Sequence, residues 1–118
     1  MRESQMDIIA YNNTVFRLTL DLTAIAAAYD LSGVEWRAHV RPTPSSPIVT
    51  LAFSSSDETA AGDMSYDGLT KLLFFEAPRS AVRTFTGSYS WDFGFTPAGG
   101  EFVRLDGGSA EFIQGVTR

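Results

Sequence analysis

The feature that most constrains this chain is an alternation of apolar and polar side chains with a period of two. In Val34-Glu35-Trp36-Arg37-Ala38-His39-Val40-Arg41 the division is complete, with Val34, Trp36, Ala38 and Val40 on one side and Glu35, Arg37, His39 and Arg41 on the other. Successive side chains of a strand point to opposite faces, so this pattern describes a ribbon with one face in a core and one in water. Val15 to Leu22 repeats it, setting Phe16, Leu18, Leu20 and Leu22 against Arg17, Thr19 and Asp21. Tyr89 to Phe95 places Tyr89, Trp91, Phe93 and Phe95 on a single face. That regularity predicts a buried aromatic row, since a stacking platform for sugars or bases needs exposed rings.

Shorter strands are expected between these. Ile8 to Tyr11 precedes an Asn12-Asn13 turn. Ile48 to Phe53 follows Pro42-Thr43-Pro44-Ser45-Ser46-Pro47, whose three prolines make a loop that no ladder can cross. Leu69 to Ala77 is apolar on both faces apart from Lys71 and Glu76, as in a strand covered on both sides or entering a crowded core. Phe102 to Leu105 and Ser109 to Ile113 flank Asp106-Gly107-Gly108, which reads as a tight hairpin because these residue types tolerate a positive φ. Two short helical turns are expected. Leu22 to Tyr29 is alanine-rich with Asp21 or Thr23 to cap it, and Pro78 to Thr84 opens on a proline and offers Ala81, Val82 and Phe85 to an open end of the fold. About seven or eight strands with turn signals between them predict an all-β domain, an antiparallel β-sandwich of immunoglobulin-like type.

Composition decides what such a domain can do. The 118 residues fit one domain, residues 1–118, and are 44% hydrophobic, enough for a core without crosslinks. The absence of cysteine excludes disulfides, zinc–thiolate sites and thiol chemistry, and the single His39 excludes any mechanism that needs two imidazoles. Nine basic residues against fourteen acidic give a net charge of −5, and the eight arginines are scattered, so nucleic acid is not an expected partner. No apolar run approaches the ~20 residues of a membrane span. Met1-Arg2-Glu3-Ser4-Gln5 has no apolar signal core behind it, so synthesis in the cytoplasm as a soluble chain is expected, which leaves open where it finally acts.

Candidate chemistry is sparse. His39 lies on an outward face between Arg37 and Arg41, with Glu35 the nearest carboxylate in sequence, and reads as a solvated surface residue. The acidic stretch from Asp57 to Gly68 offers oxygens but lacks the alternating acidic spacing of a compact calcium loop, and reads as a solvated surface loop. Ser45-Ser46 and Ser54-Ser55-Ser56 have no nucleophile elbow, and Gly99-Gly100 and Gly107-Gly108 have no following helix to complete a phosphate cradle. The residues thus assign no catalytic, cofactor or metal site.

The order of these features resembles that of small bacteriophage and prophage tail proteins, in the layout of the amino-terminal domain of siphophage baseplate upper proteins. The resemblance runs through the polar turn and strand Asn12-Asn13-Thr14-Val15-Phe16-Arg17-Leu18, and through Tyr29-Asp30-Leu31-Ser32-Gly33-Val34 leading to Trp36-Arg37-Ala38-His39-Val40-Arg41. It continues through the loop from Pro42 to Pro47, the aromatic strand Tyr89-Ser90-Trp91-Asp92-Phe93, a glycine hairpin and the ending Gly115-Val116-Thr117-Arg118. The alanine-rich Leu22 to Tyr29 segment departs from it, as does the absence of the further domains that long baseplate proteins carry. The resemblance implies a non-enzymatic adaptor in a tail tip, baseplate or fibre-attachment complex. It would need no cofactor, would pair with copies of itself and with other tail proteins, and would pass from the bacterial cytoplasm into the virion tail. A carbohydrate-binding β-sandwich module is the alternative, motivated by the aromatic content and acidic charge.

Overall fold

The computed structural model describes residues 7–57 and 59–115, so the polar opening, Glu58 and the closing Val116-Thr117-Arg118 lie outside the described residues. In chain order the elements are β1 (Ile8–Tyr11), β2 (Phe16–Asp21), α1 (Thr23–Ala28), β3 (Glu35–Arg41), β4 (Leu51–Ser54), β5 (Gly62–Asp67), β6 (Leu72–Ala77), α2 (Arg79–Val82), β7 (Gly87–Thr96) and β8 (Val103–Ile113). The all-β expectation holds. The eight strands form one mixed sheet in the order β1-β8-β7-β3-β4-β5-β6-β2, curled into a nearly closed barrel.

This differs from the antiparallel immunoglobulin-like sandwich expected from the strand pattern, because two joints are parallel. β1 runs parallel to β8, with Ile8 opposite Ala110 and Tyr11 opposite Ile113. β4 and β5 are parallel through only two pairs, Phe53 opposite Gly62 and Ser54 opposite Asp63. The end of β4 meets the start of β5, so residues 55–61 have only to sidestep to the next strand position, and the long crossover usual between parallel strands is not needed. Alternation reports which face of a strand is buried and is silent on which neighbour it pairs with.

The inward faces meet in one aromatic core. Phe75 presents its ring edge-on to Phe53, Trp91 and Phe93 at centroid distances of 5.6, 6.0 and 5.9 Å, and Trp91 stacks on Phe93 at 5.6 Å. Trp36 packs on Tyr66 and Phe95. Phe16 of β2 lies 6.1 Å from Phe112 of β8, so strands near opposite ends of the sheet share this core. Trp91, Phe93 and Phe95 are buried and Tyr89 is half-buried, as the aromatic row predicts.

The register puts the two helices at opposite ends of the barrel. α1 follows Asp21, which pairs with Leu72, whereas α2 follows Ala77, which pairs with Phe16. Leu22 and Leu31 are buried on either side of α1, and Val82 and Phe85 are buried at and just after α2. Leu22 occupies the cap position of α1, and Asp21, one residue earlier, accepts both the N–H and the hydroxyl of Thr23 at 2.9 and 2.6 Å. Pro78 precedes the first turn of α2 in an extended conformation.

Three local expectations are corrected. Asp106-Gly107-Gly108 is no turn but the middle of the continuous strand β8, and the chain reverses earlier, at residues 97–102, where Gly99 has φ +72°. A Cβ on Gly107 would collide with the Trp91 carbonyl oxygen and crowd Asp92 and Arg104, so this glycine answers a close approach to β7. The acidic stretch contains a strand, β5, whose Met64 and Tyr66 face the core. Leu69 to Ala77 is not covered on both sides: Leu69 is 94% exposed in the β5–β6 turn and Phe74 is 39% exposed.

Asn12 is buried where β1 passes to β2. Its amide donates to the Phe85 carbonyl at 2.8 Å, its Oδ1 accepts from the Gly115 N–H at 3.2 Å, and its own N–H donates to the Ile113 carbonyl at 3.0 Å. Trp36→Ala and Trp91→Ala are each expected to cost about 3–5 kcal/mol in denaturant unfolding, the range for deleting a large buried aromatic. Asn12→Ala, which leaves the Phe85 carbonyl and Gly115 N–H without their side-chain partner, is expected to cost about 1–3 kcal/mol. An Asn12→Ala protein that unfolds at the parental midpoint would remove Asn12 as the fastening of this end.

Candidate functional site

The register across β3, β7 and β8 arranges the outward side chains in rows. His39 lies opposite Asp92, which lies opposite Gly107. On one side of this row are Arg37, Gly94 and Arg104, and on the other are Arg41, Ser90 and Ser109. Beside Gly107 the face has a hollow of about 440 Å³, whose rim includes His39, Arg41, Ser90, Asp92, Arg104 and Ser109.

The ring is connected by polar contacts. Arg104 Nε donates to Asp92 Oδ2 at 3.2 Å. Arg41 donates through one terminal nitrogen to the Ser46 carbonyl at 3.2 Å, and its other lies 3.1 Å from His39 Nδ1. Guanidinium is always a donor, so His39 Nδ1 accepts and the ring proton of the neutral imidazole sits on Nε2. Arg37 lies over the Phe102 ring, 4.4 Å from its centroid. Beyond Ser109, the Asp7 carboxylate accepts from both the Ser109 N–H and hydroxyl at 3.1 Å.

His39 is half-buried, which corrects the expectation of a solvated residue. Burial depresses its pKa below the usual 6.5, Arg41 and then Arg37 push it further down, and Asp92 partly opposes them. The imidazole is therefore neutral at pH 7. It does not form an acid–base set with Glu35 and a loop aspartate. A neighbouring shallow hollow is lined by Glu35, Arg37, His39 and Asp57, but four residues along a strand separate Glu35 from His39 by about 13 Å. The Asp57 carboxylate accepts from the Thr59 N–H and hydroxyl at 2.9 and 2.7 Å, and these bonds lower its pKa.

The remaining sequence candidates have local structural roles. Ser54 Oγ accepts the N–H groups of Ser56 and Asp57, and Ser55 Oγ accepts that of Trp36 at 2.8 Å. Asp67 caps the β5–β6 turn through the Leu69 N–H. Among the described residues no three His, Asp or Glu side chains gather as a metal site. A second hollow of about 700 Å³ opens beside α1, with Tyr29, Trp36 and Tyr66 in its walls. Two charged groups there are bound locally, Lys71 to the Gly68 carbonyl and Asp30 to the Ser32 N–H and hydroxyl.

His39, Arg41, Ser90 and Asp92 of the ring were visible in the sequence as the polar half of two alternating strands, whereas Arg104 and Ser109 were not. Gly107 reads as a turn residue until its neighbours are known. No helix among the described residues is long and apolar enough to cross a membrane. No protein-family model matches the chain, and no curated protein matches it significantly.

His39 also links stability to pH. Its pKa is lower folded than unfolded, so the unfolded chain binds the extra proton first, and stability present above pH 6.5 is lost as pH falls toward the folded pKa. His39→Gln, which cannot take up that proton, is expected to lose less stability than the parent between pH 7 and about pH 5. Parallel urea titrations at the two pH values check this, and equal losses in both proteins would remove His39 as a source of acid sensitivity.

Proposed function

We propose that this chain acts by surface contact, as a structural adaptor of a phage or prophage tail tip, baseplate or fibre-attachment complex. The observation that carries the contact reading is the β1 edge. Among the described residues β1 has β8 as its ladder partner on one side only, and its outward Ile9 and Tyr11 are 69% and 55% exposed. Tyr11 stands opposite the exposed Ile113 of β8, extending the apolar strip across both strands. Clustered apolar side chains mark contact surfaces, and an edge strand offers unpaired backbone groups to another strand. The segment from Ile8 to Tyr11 has no lysine, proline or bulge to block such pairing.

The partner assigned to this edge is a second copy of the chain. Antiparallel pairing of two β1 strands about a two-fold axis brings Ile9 and Tyr11 of both copies onto one face, so one patch satisfies itself. The ordered resemblance to tail proteins supplies the setting. A non-catalytic role is part of this reading, with Nδ1 of the only imidazole taken up by Arg41.

Light scattering across a concentration series is expected to show a dimer or larger closed assembly. Ile9→Lys, which places a charge in the strip, is expected to weaken association by about tenfold or more without lowering the melting temperature. A strict monomer at high concentration would count against the reading. Tail-fibre or tape-measure genes beside the coding gene would support the setting, and neighbours of unrelated metabolism would argue against it.

A further inference from the structure

We infer that the hollow beside Gly107 binds a monoanionic, hydroxyl-rich ligand, an acidic sugar residue of the uronic-acid type. This stands independently of the β1 edge, and the argument begins with the charge of the ring. Arg41 and Arg104 face one carboxylate, Asp92, while His39 is neutral, so the lining carries a single positive charge within a protein of net charge −5. A monoanion is matched by this lining. A dianionic phosphate or sulfate meets a carboxylate with no second excess cation in the ring.

The donors have spare capacity. A guanidinium has five N–H groups; Arg41 uses two and Arg104 one in the contacts above, leaving both able to hold a carboxylate. His39 Nε2–H adds a neutral donor. Asp92 spends Oδ2 on Arg104 and leaves Oδ1 to accept from ligand hydroxyls, and Ser90 and Ser109 add oxygens that both donate and accept. Donors for an acid group and acceptors for hydroxyls around one hollow together describe an acidic sugar. The volume of about 440 Å³ falls within the range of small-molecule sites, roughly 300–1,000 Å³.

The test is an amide NMR titration with D-glucuronate, with D-glucose and sulfate as parallel probes. D-glucuronate is expected to shift the amides of Ser90, Asp92, Gly107 and Ser109, glucose to leave them in place and sulfate to bind more weakly. Arg104→Gln, at an exposed position whose loss spares the core, is expected to weaken glucuronate binding about tenfold at an unchanged melting temperature. Asp92→Asn separates the two ligand classes, because it removes repulsion toward sulfate and weakens the acceptor for sugar hydroxyls. Tighter sulfate with weaker glucuronate supports the assignment. Glucuronate shifts located elsewhere, sulfate binding as tight as glucuronate, an unaffected Arg104→Gln variant, or an Asp92→Asn variant that tightens both ligands would each overturn it.

Discussion

The rest of the structure depends on the end strands of one sheet sharing a single core. An open eight-stranded sheet with one apolar face would leave that face to solvent or to another molecule. Here the sheet curls until Phe16 on β2 comes within ring contact of Phe112 on β8, and the face becomes an interior. Residues 12–15 make this possible, because they carry the chain directly from β1 to β2, the two ends of the strand order. Asn12 suits the position physically. One amide offers a donor and an acceptor in opposite directions, and it ties the Phe85 carbonyl and the Gly115 backbone to the same point. An apolar residue of similar size would fill the space but leave both backbone groups unanswered.

The burial half of the fold was legible in the sequence, and the connectivity half was not. Alternation located β2, β3 and β7 because a half-buried strand must repeat every two residues whatever its neighbours. The same alternation exists in β5, where Met64 and Tyr66 alternate with Asp63, Ser65 and Asp67, but with only two apolar residues in an acidic stretch the period is weak. Parallel pairing of β1 with β8 has no local signature, since it joins segments about 100 residues apart, and this separates a nearly closed mixed barrel from a sandwich. Leu72 and Phe74 look like a second buried face because apolar residues occur on surfaces too, and an exposed side chain leaves no mark in its own letter.

Charge is sorted by element in a way that the net value of −5 conceals. Asp21, Asp30, Asp57 and Asp67 stand in loops or at the strand ends that lead into turns, each accepting an N–H two residues onward, and those bonds lower the pKa of every one of them. Such carboxylates fix turns through local hydrogen bonds. The arginines of β3 and β8 are instead carried on strand faces, where Arg37, Arg41 and Arg104 flank the row of His39 and Asp92. A protein that is acidic as a whole thus carries a locally cationic patch on one side of its sheet.

The hollow in that patch lies beside a backbone requirement. β8 approaches β7 so closely at Gly107 that a Cβ has no room beside the Trp91 carbonyl. Next to this approach, the register shift at Phe93 and Gly94 leaves Leu105 without a partner and re-aims Arg104 beside Asp92. Glycine is needed there for packing alone. Packing does not require the hollow beside it to be ringed by two guanidiniums, one carboxylate, an imidazole and two hydroxyls. The glycine is explained by the fold, and the ring around it is what the fold leaves free to vary, so the ring is where a binding role would be written.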